Sequence, residues 1–228
     1  MANDTIGDLK MDGIGTAAGG VYRLVNLNGV CKVAADVEAQ VFDADGQIRV
    51  NGHLTAGELD LDGTMRVSGT LHAERAFVDG MATIEQSYAG QQLQLNGMLS
   101  AGGDCELDLL EGEGVFKIRG LLNAGSIKFR LQGRSSAREI GCETIRVGRG
   151  RTGVWRALWQ WVLPSFTPEL KAGVIEGDDV ELEYASVGIV RGDRVTIGRG
   201  CDIGRVEYRT GLRKHPTARI GEEAKLNG

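Results

Sequence analysis

The side chains able to do chemistry in this chain are few, and their spacing does not suit a catalyst. Three histidines, His53, His72 and His215, are the available neutral bases, and His53 and His72 stand 19 residues apart. No phosphate-binding loop, HExxH or GxSxG occurs, so nucleotide, zinc-hydrolase and serine-hydrolase chemistry lack their usual carriers. The four cysteines, Cys31, Cys105, Cys142 and Cys201, form no CxxC pair. That spacing predicts buried or inert thiols in a reducing cytosol rather than disulfides or a zinc site. Asp43, Asp45, Asp60, Asp62 and Asp79 recur near one set of corners. A calcium-binding roll would need a GGxGxDxUx nonapeptide, which is absent, so these aspartates read as turn formers and solubilising groups. The expectation is a chain with no catalytic residue, no cofactor and no metal.

The elements that carry these residues follow from one period. Glycine falls at 29, 46, 63, 80, 97 and 114, a step of 17 residues repeated five times without slip. A second series runs at 52, 69, 103 and 120, interrupted by Gln86. Apolar positions keep the register: Val33, Val50, Val67, Ile84, Ala101 and Ile118 lie four after each main glycine, and Val37, Leu54, Leu71, Tyr88, Cys105 and Leu122 lie eight after. Phe42, Leu59, Ala76, Leu93, Leu110 and Ile127 lie thirteen after, and Ala44, Leu61, Val78, Leu95, Gly112 and Phe129 fifteen after. A fixed period of this length marks a stacked-repeat architecture.

Within each repeat the apolar spacing is two, as in Gln47-Ile48-Arg49-Val50 and Glu58-Leu59-Asp60-Leu61, which is the period of a strand with one buried face. Asn-Gly and Asp-Gly pairs separate the runs and supply corners with positive φ. The prediction is an all-β, parallel β-helix with about three short strands per 17-residue coil, stacked at about 4.8 Å. Six to nine such coils would make a rod of roughly 30–45 Å. Leu54, Leu59, Leu61, Val67, Leu71 and Val78 are expected to face inward.

Composition agrees: glycine numbers 35 and proline 3 in 228 residues, with a net charge of −5. Many tight corners suit the first pair of numbers. The last gives no general nucleic-acid footprint. The absence of a secretory apolar region or an 18-residue apolar run in these residues predicts a cytoplasmic chain.

Taken in order, residues 1–13 are polar and predicted flexible, and 14–147 form β-helix coils, the first one atypical. Residues 148–172 break the pattern. They hold Trp155, Trp159, Trp161 and Phe166, with Arg149, Arg151, Arg156 and Lys171 against Glu169 alone. Trp155, Leu158, Trp159 and Val162 share one face of a short predicted helix that Pro164 ends. Arg151, Trp155, Arg156, Leu158, Trp159, Trp161 and Phe166 are therefore candidates to cap the rod, to meet a membrane headgroup region or to bind a protein partner. Coils resume over 173–208, and 209–228 reads as a loosely held polar tail. With no cap visible at either end, Tyr22, Leu24 and Leu27 at one and Val195, Ile197, Ile203 and Val206 at the other are the candidate polymer interface.

The repeats Gly46–Ala56 and Gly63–Ala73 resemble those of the bactofilin family, polymer-forming bacterial cytoskeletal proteins. The stretches Gly120–Ala124, Arg138–Gly141 and Ile197–Tyr208 are similar to the long form of Gram-positive spore-formers. The resemblance covers most of residues 14–208. It implies a right-handed β-helix that assembles into filaments without nucleotide and supports motility or flagellum assembly. The implied partners are further copies of itself, with a membrane surface or flagellar and cell-envelope proteins as additional candidates, and no nucleic acid or small-molecule substrate. The location implied is cytoplasmic, with peripheral attachment to the inner face of the membrane as a variant. Many members carry a short apolar N-terminal membrane tag; Met1 to Lys10 is polar. Two other classes compete. A solenoid adaptor that does not polymerise would share the fold. The run Ile197–Gly204 also resembles hexapeptide-repeat acyltransferases, but those need a groove histidine, and the main array steps by 17 rather than by three hexads.

Overall fold

The computed structural model describes residues 7–150 and 168–226. Its regular structure is all strand: β1 (Asp8–Ala17), β2 (Gly20–Val33), β3 (Val37–Val50), β4 (Leu54–Val67), β5 (Leu71–Ile84), β6 (Tyr88–Ala101), β7 (Cys105–Leu131), β8 (Arg134–Arg149), β9 (Glu169–Leu182), β10 (Ala185–Ile197), β11 (Asp202–Lys214) and β12 (Arg219–Lys225). They form one sheet in chain order, each strand parallel to the next. A sheet whose neighbours are successive coils is a β-solenoid, as the glycine period requires.

Each regular coil is one bent strand of 14 residues closed by a three-residue turn, not three separate strands. The bends show in which residues are buried. In β3 the inward residues are Val37 and Ala39, then Phe42 and Ala44, then Ile48 and Val50. Two outward residues in succession, Gln40 and Val41, mark one corner, and Asp45–Gly46–Gln47 marks the next. The turn Asn51–His53 makes the third. Each coil thus has a first face (Val37–Ala39), a second face (Val41–Asp45) and a third face (Gly46–Val50), each giving two side chains to the core. The register Phe42↔Leu59↔Ala76↔Leu93↔Leu110 repeats this along the rod. The predicted inward residues Leu54, Leu59, Leu61, Val67, Leu71 and Val78 are all buried, at 0–3% exposure. At about 1.5–3 kcal/mol per fully buried large aliphatic side chain, these columns are the principal source of stability.

The glycine at the second corner is demanded twice over. Gly63 has φ +128°, and a Cβ there would lie 2.4 Å from the carbonyl oxygen of Gly46 in the coil below. Coils stack too closely at this corner for any side chain.

β7 changes the phase of the winding. It runs 27 residues through five successive faces without a turn. Before it, chain turns sit between the third and first faces; after it they sit between the second and third, at Gln132–Gly133, Glu183–Tyr184, Gly198–Cys201 and His215–Ala218. The step also changes. Leu170 pairs with Ala185, 15 residues on, while Arg134 pairs with Glu169, 35 residues on.

Several expected boundaries shift. The segment taken as flexible, 1–13, contains the start of β1, because Asp8–Ala17 pairs through its backbone with Leu24–Val33. The expected insertion, 148–172, gives up both edges: Gly148 and Arg149 belong to β8 and Glu169–Ala172 to β9. The expected loose tail, 209–228, holds the end of β11 and all of β12, which pairs with Asp202–Tyr208. Ion pairs Arg205–Glu222 at 3.2 Å and Lys214–Glu223 at 2.7 Å fasten that last strand. Twelve strands at about 4.8 Å make the rod about 55 Å long, longer than the expected 30–45 Å.

Candidate assembly ends and outer faces

Among the described residues both ends of the rod are stepped, because the first and last strands pair with only part of their neighbours. β1 covers β2 only from Leu24 onward, so Gly20–Tyr22 has no further strand over it among the described residues. Leu9, Met11 and Tyr22 pack on the core there but stay half-buried. At the other end β12 covers Asp202–Tyr208, leaving Gly211–Lys214 of β11 without a further strand among the described residues. Leu212, Ala218 and Ile220 are the half-buried apolar groups at that step. Both terminal strands, β1 and β12, are paired on one edge only among the described residues.

Of the seven residues expected at the ends, Tyr22 lies at the open step, and Leu24 is half-buried under Asp8. The other five are enclosed. Leu27 is covered by Met11, Val195 and Ile197 by Leu212 and Lys214, and Ile203 by Ile220; all five are at most 1% exposed. The expectation failed because the outermost strand at each end is polar in sequence, so the last apolar-rich strand looked terminal. Arg151, Trp155, Arg156, Leu158, Trp159, Trp161 and Phe166 lie outside the described residues.

The histidines take structural positions. His53 sits in the turn column Asp36, His53, Thr70, Ser87 and Asp104, where a side chain accepts a hydrogen bond from the backbone of the next coil. The His53 N–H donates to Asp36 Oδ1 at 2.8 Å, the Thr70 N–H to His53 Nδ1 at 3.0 Å, and the Leu121 N–H to Asp104 Oδ1 at 2.7 Å. His72 is exposed on the first face two residues round from that column. His215 Nδ1 accepts from the Thr217 N–H at 3.2 Å in the last turn. No two histidines meet.

The thiols are free, with Cys31, Cys105 and Cys201 buried and Cys142 half-buried. Burial pushes Cys105 and Cys142 up to about 12, far from the thiolate that nucleophilic chemistry needs. Among the described residues no group of His, Cys, Asp or Glu has the arrangement of a metal site.

The aspartates do share a surface. Asp43 pairs with Asp60 across adjacent coils, as Asp45 does with Asp62 and Asp62 with Asp79. Partial burial, then Asp62, Asp43, Asp79 and Glu58, hold the Asp60 carboxyl above its ordinary range. One neutral relief is Asn26, whose amide donates to Asp43 at 2.5 Å. Further along the rod, charges of opposite sign sit on neighbouring coils instead: Lys128 on Glu111 at 2.7 Å, Arg209 on Asp193 at 2.8 Å, and Arg194 on Asp179 through both guanidinium arms. No described helix is long and apolar enough to cross a membrane.

No family model matches the chain, and no solved structure matches it. Two curated proteins of Bacillus subtilis (strain 168) are similar. The uncharacterized protein YhbE is 40% identical over 111 residues, covering 48% of this chain and 45% of its own length. The uncharacterized protein YhbF is 41% identical over 108 residues, covering 47% and 42%. The matched part of this chain therefore spans less than half the length of either relative.

Proposed function

We propose that the chain is a self-assembling structural scaffold of the bactofilin kind, whose rods stack end to end into filaments without nucleotide. The observation that carries this reading is the open step at each end. There, half-buried Leu9, Met11 and Tyr22 on one side, and Leu212 and Ile220 on the other, accompany a strand edge that has no partner among the described residues. Stacking would remove that apolar surface from water and extend the parallel sheet by strand addition. The repeat resemblance points the same way, and with it a cytoplasmic scaffold supporting motility or flagellum assembly.

Negative-stain microscopy and sedimentation of the purified chain test it. Filaments without added nucleotide are expected, and Met11→Lys or Ile220→Lys is expected to leave folded, short species. A unmutated chain that stays monomeric at micromolar concentration would favour the non-polymerising adaptor instead.

A further inference from the structure

The third face carries no carboxylate over its first seven coils. Its segments are 13–17, 29–33, 46–50, 63–67, 80–84, 97–101 and 114–118, and not one of their residues is Asp or Glu, in a chain whose net charge is −5. The face has a fixed cross-section, because the chain crosses it at right angles to the rod. First comes the residue before the corner glycine: Asp12, Asn28, Asp45, Asp62, Asp79, Asn96 and Glu113. Next comes an outward column of uncharged residues: Ile14, Val30, Gln47, Thr64, Met81, Met98 and Val115. Last comes Thr16, Lys32, Arg49, Arg66, Thr83, Ser100 and Lys117. Ile14, Val30 and Met81 are 88%, 48% and 47% exposed, half of the large apolar side chains left in solvent among the described residues. Lys32, Arg49 and Lys117 make no ion pair among the described residues, and Arg66 reaches Glu85 of its own chain at 2.8 Å.

We infer that this face pairs with the same face of a second copy, the two rods lying side by side, parallel and in register. An uncharged stripe flanked by acid on one edge and base on the other is self-complementary under one arrangement. A two-fold axis along the rod places the acidic edge of each copy on the basic edge of the other, with the uncharged columns face to face. A two-fold axis across the rod makes the pair antiparallel and sets acid on acid. Register is specified too. Asp45 and Arg49 share a coil, as do Asp62 and Arg66, and Glu113 and Lys117, so coil opposite coil matches charge at each of these levels. In the same register Asp12, Lys32 and Asp79 face the neutral Thr16, Asn28 and Thr83, and Asn96 faces Ser100, so no level sets like charge on like charge. The logic is that of flanking charges selecting partners along a coiled coil. A face of seven coils is about 30 Å by about 13 Å, so one pair buries less than the roughly 1,200 Å² of a standard stable interface. Pairing of single chains is therefore weak and adds up along stacked rods; only that gain in strength rests on end-to-end assembly.

Short-span crosslinking of the full chain tests it. Thr64 meets its own copy in the parallel pair. Thr64→Cys is expected to give a dimer with a short bismaleimide that bridges the roughly 10 Å between facing sheets. The unmutated chain and Gln94→Cys, on the second face, are expected to give none. Adding Arg49→Glu and Arg66→Glu to Thr64→Cys should reduce the dimer several-fold. The reciprocal exchange Asp45→Arg, Arg49→Asp, Asp62→Arg and Arg66→Asp, in the Thr64→Cys chain, should restore it. A mixture of Val30→Cys and Met98→Cys chains is expected to give no mixed dimer; mixed dimers would show an antiparallel pair and overturn the inference. So would a Thr64→Cys chain that crosslinks no more than Gln94→Cys. If that chain instead binds phosphatidylserine-containing vesicles and Arg49→Glu/Arg66→Glu abolishes the binding, the face is a lipid-docking surface. Filaments without lateral crosslinks would remove this inference and leave end-to-end stacking standing.

Discussion

Gly63 stands directly over Gly46, so close that the Cβ of any other residue would meet the Gly46 carbonyl oxygen at 2.4 Å. The contact recurs at the second corner of each regular coil, and it explains why the 17-residue glycine period shows no slip. Gly63→Ala adds a left-handed backbone cost of about 1–2 kcal/mol to that clash. The expected result is an unfolding free energy from urea titration lowered by at least that amount; an unchanged midpoint would show that the corner can relax.

Leu71 tests the core. It is 2% exposed and stacks between Leu54 and Tyr88. Leu71→Asp places a carboxylate where no partner exists, a change costing several kcal/mol. Loss of cooperative unfolding or of soluble expression is expected. A stable, cooperatively unfolding Leu71→Asp protein would mean that this column is not interior.

Tyr88 offers a change in the opposite direction. Its hydroxyl is buried with no hydrogen-bond partner among the described residues, and burial raises its pKa. The phenol fits because the stacked column Ala56, Ala73 has Gly90 at its own coil. Tyr88→Phe removes an unsatisfied polar atom at nearly constant volume and is expected to stabilise by about 1 kcal/mol. A destabilised variant would reveal a partner for the hydroxyl.

The acidic surface makes stability depend on pH. Asp60 binds its proton more readily folded than unfolded, because partial burial and four neighbouring carboxylates disfavour its charge. Above the carboxylate range the folded state therefore carries a penalty, and acidification through the folded pKa relieves it. Asp60→Asn should raise the thermal midpoint near pH 7, by a modest amount since much of the side chain still meets solvent, and have no such effect near pH 3. Equal shifts at both values would rule out the electrostatic cause.

The coils were legible because their period is carried by residues with no substitute: glycine at a corner that admits no Cβ, and Val, Leu or Ile in columns that admit no charge. Two inward columns were less visible. The one holding Cys31, Ile48, Met65, Ala82, Leu99 and Phe116 varies in size, and the one with Ala39, Ala56, Ala73 and Ala124 is too small to signal burial. The terminal strands were illegible for another reason. Asp8–Ala17 and Arg219–Lys225 are held mainly by backbone pairing to a strand already in place, which asks little of side-chain polarity. The candidate ends were consequently placed one strand too far inward. The third face could have been found from sequence by asking which repeat positions never carry a carboxylate.

Because each strand runs round the rod, its backbone hydrogen bonds point along it. Thirteen residues of β2 pair with β3, and the same holds for β3 with β4. A lengthwise pull therefore loads all the bonds of one junction together, whereas peeling at a free end breaks them a few at a time. Such a rod resists stretching along its length and yields from its ends, where β12 has only six paired residues to release.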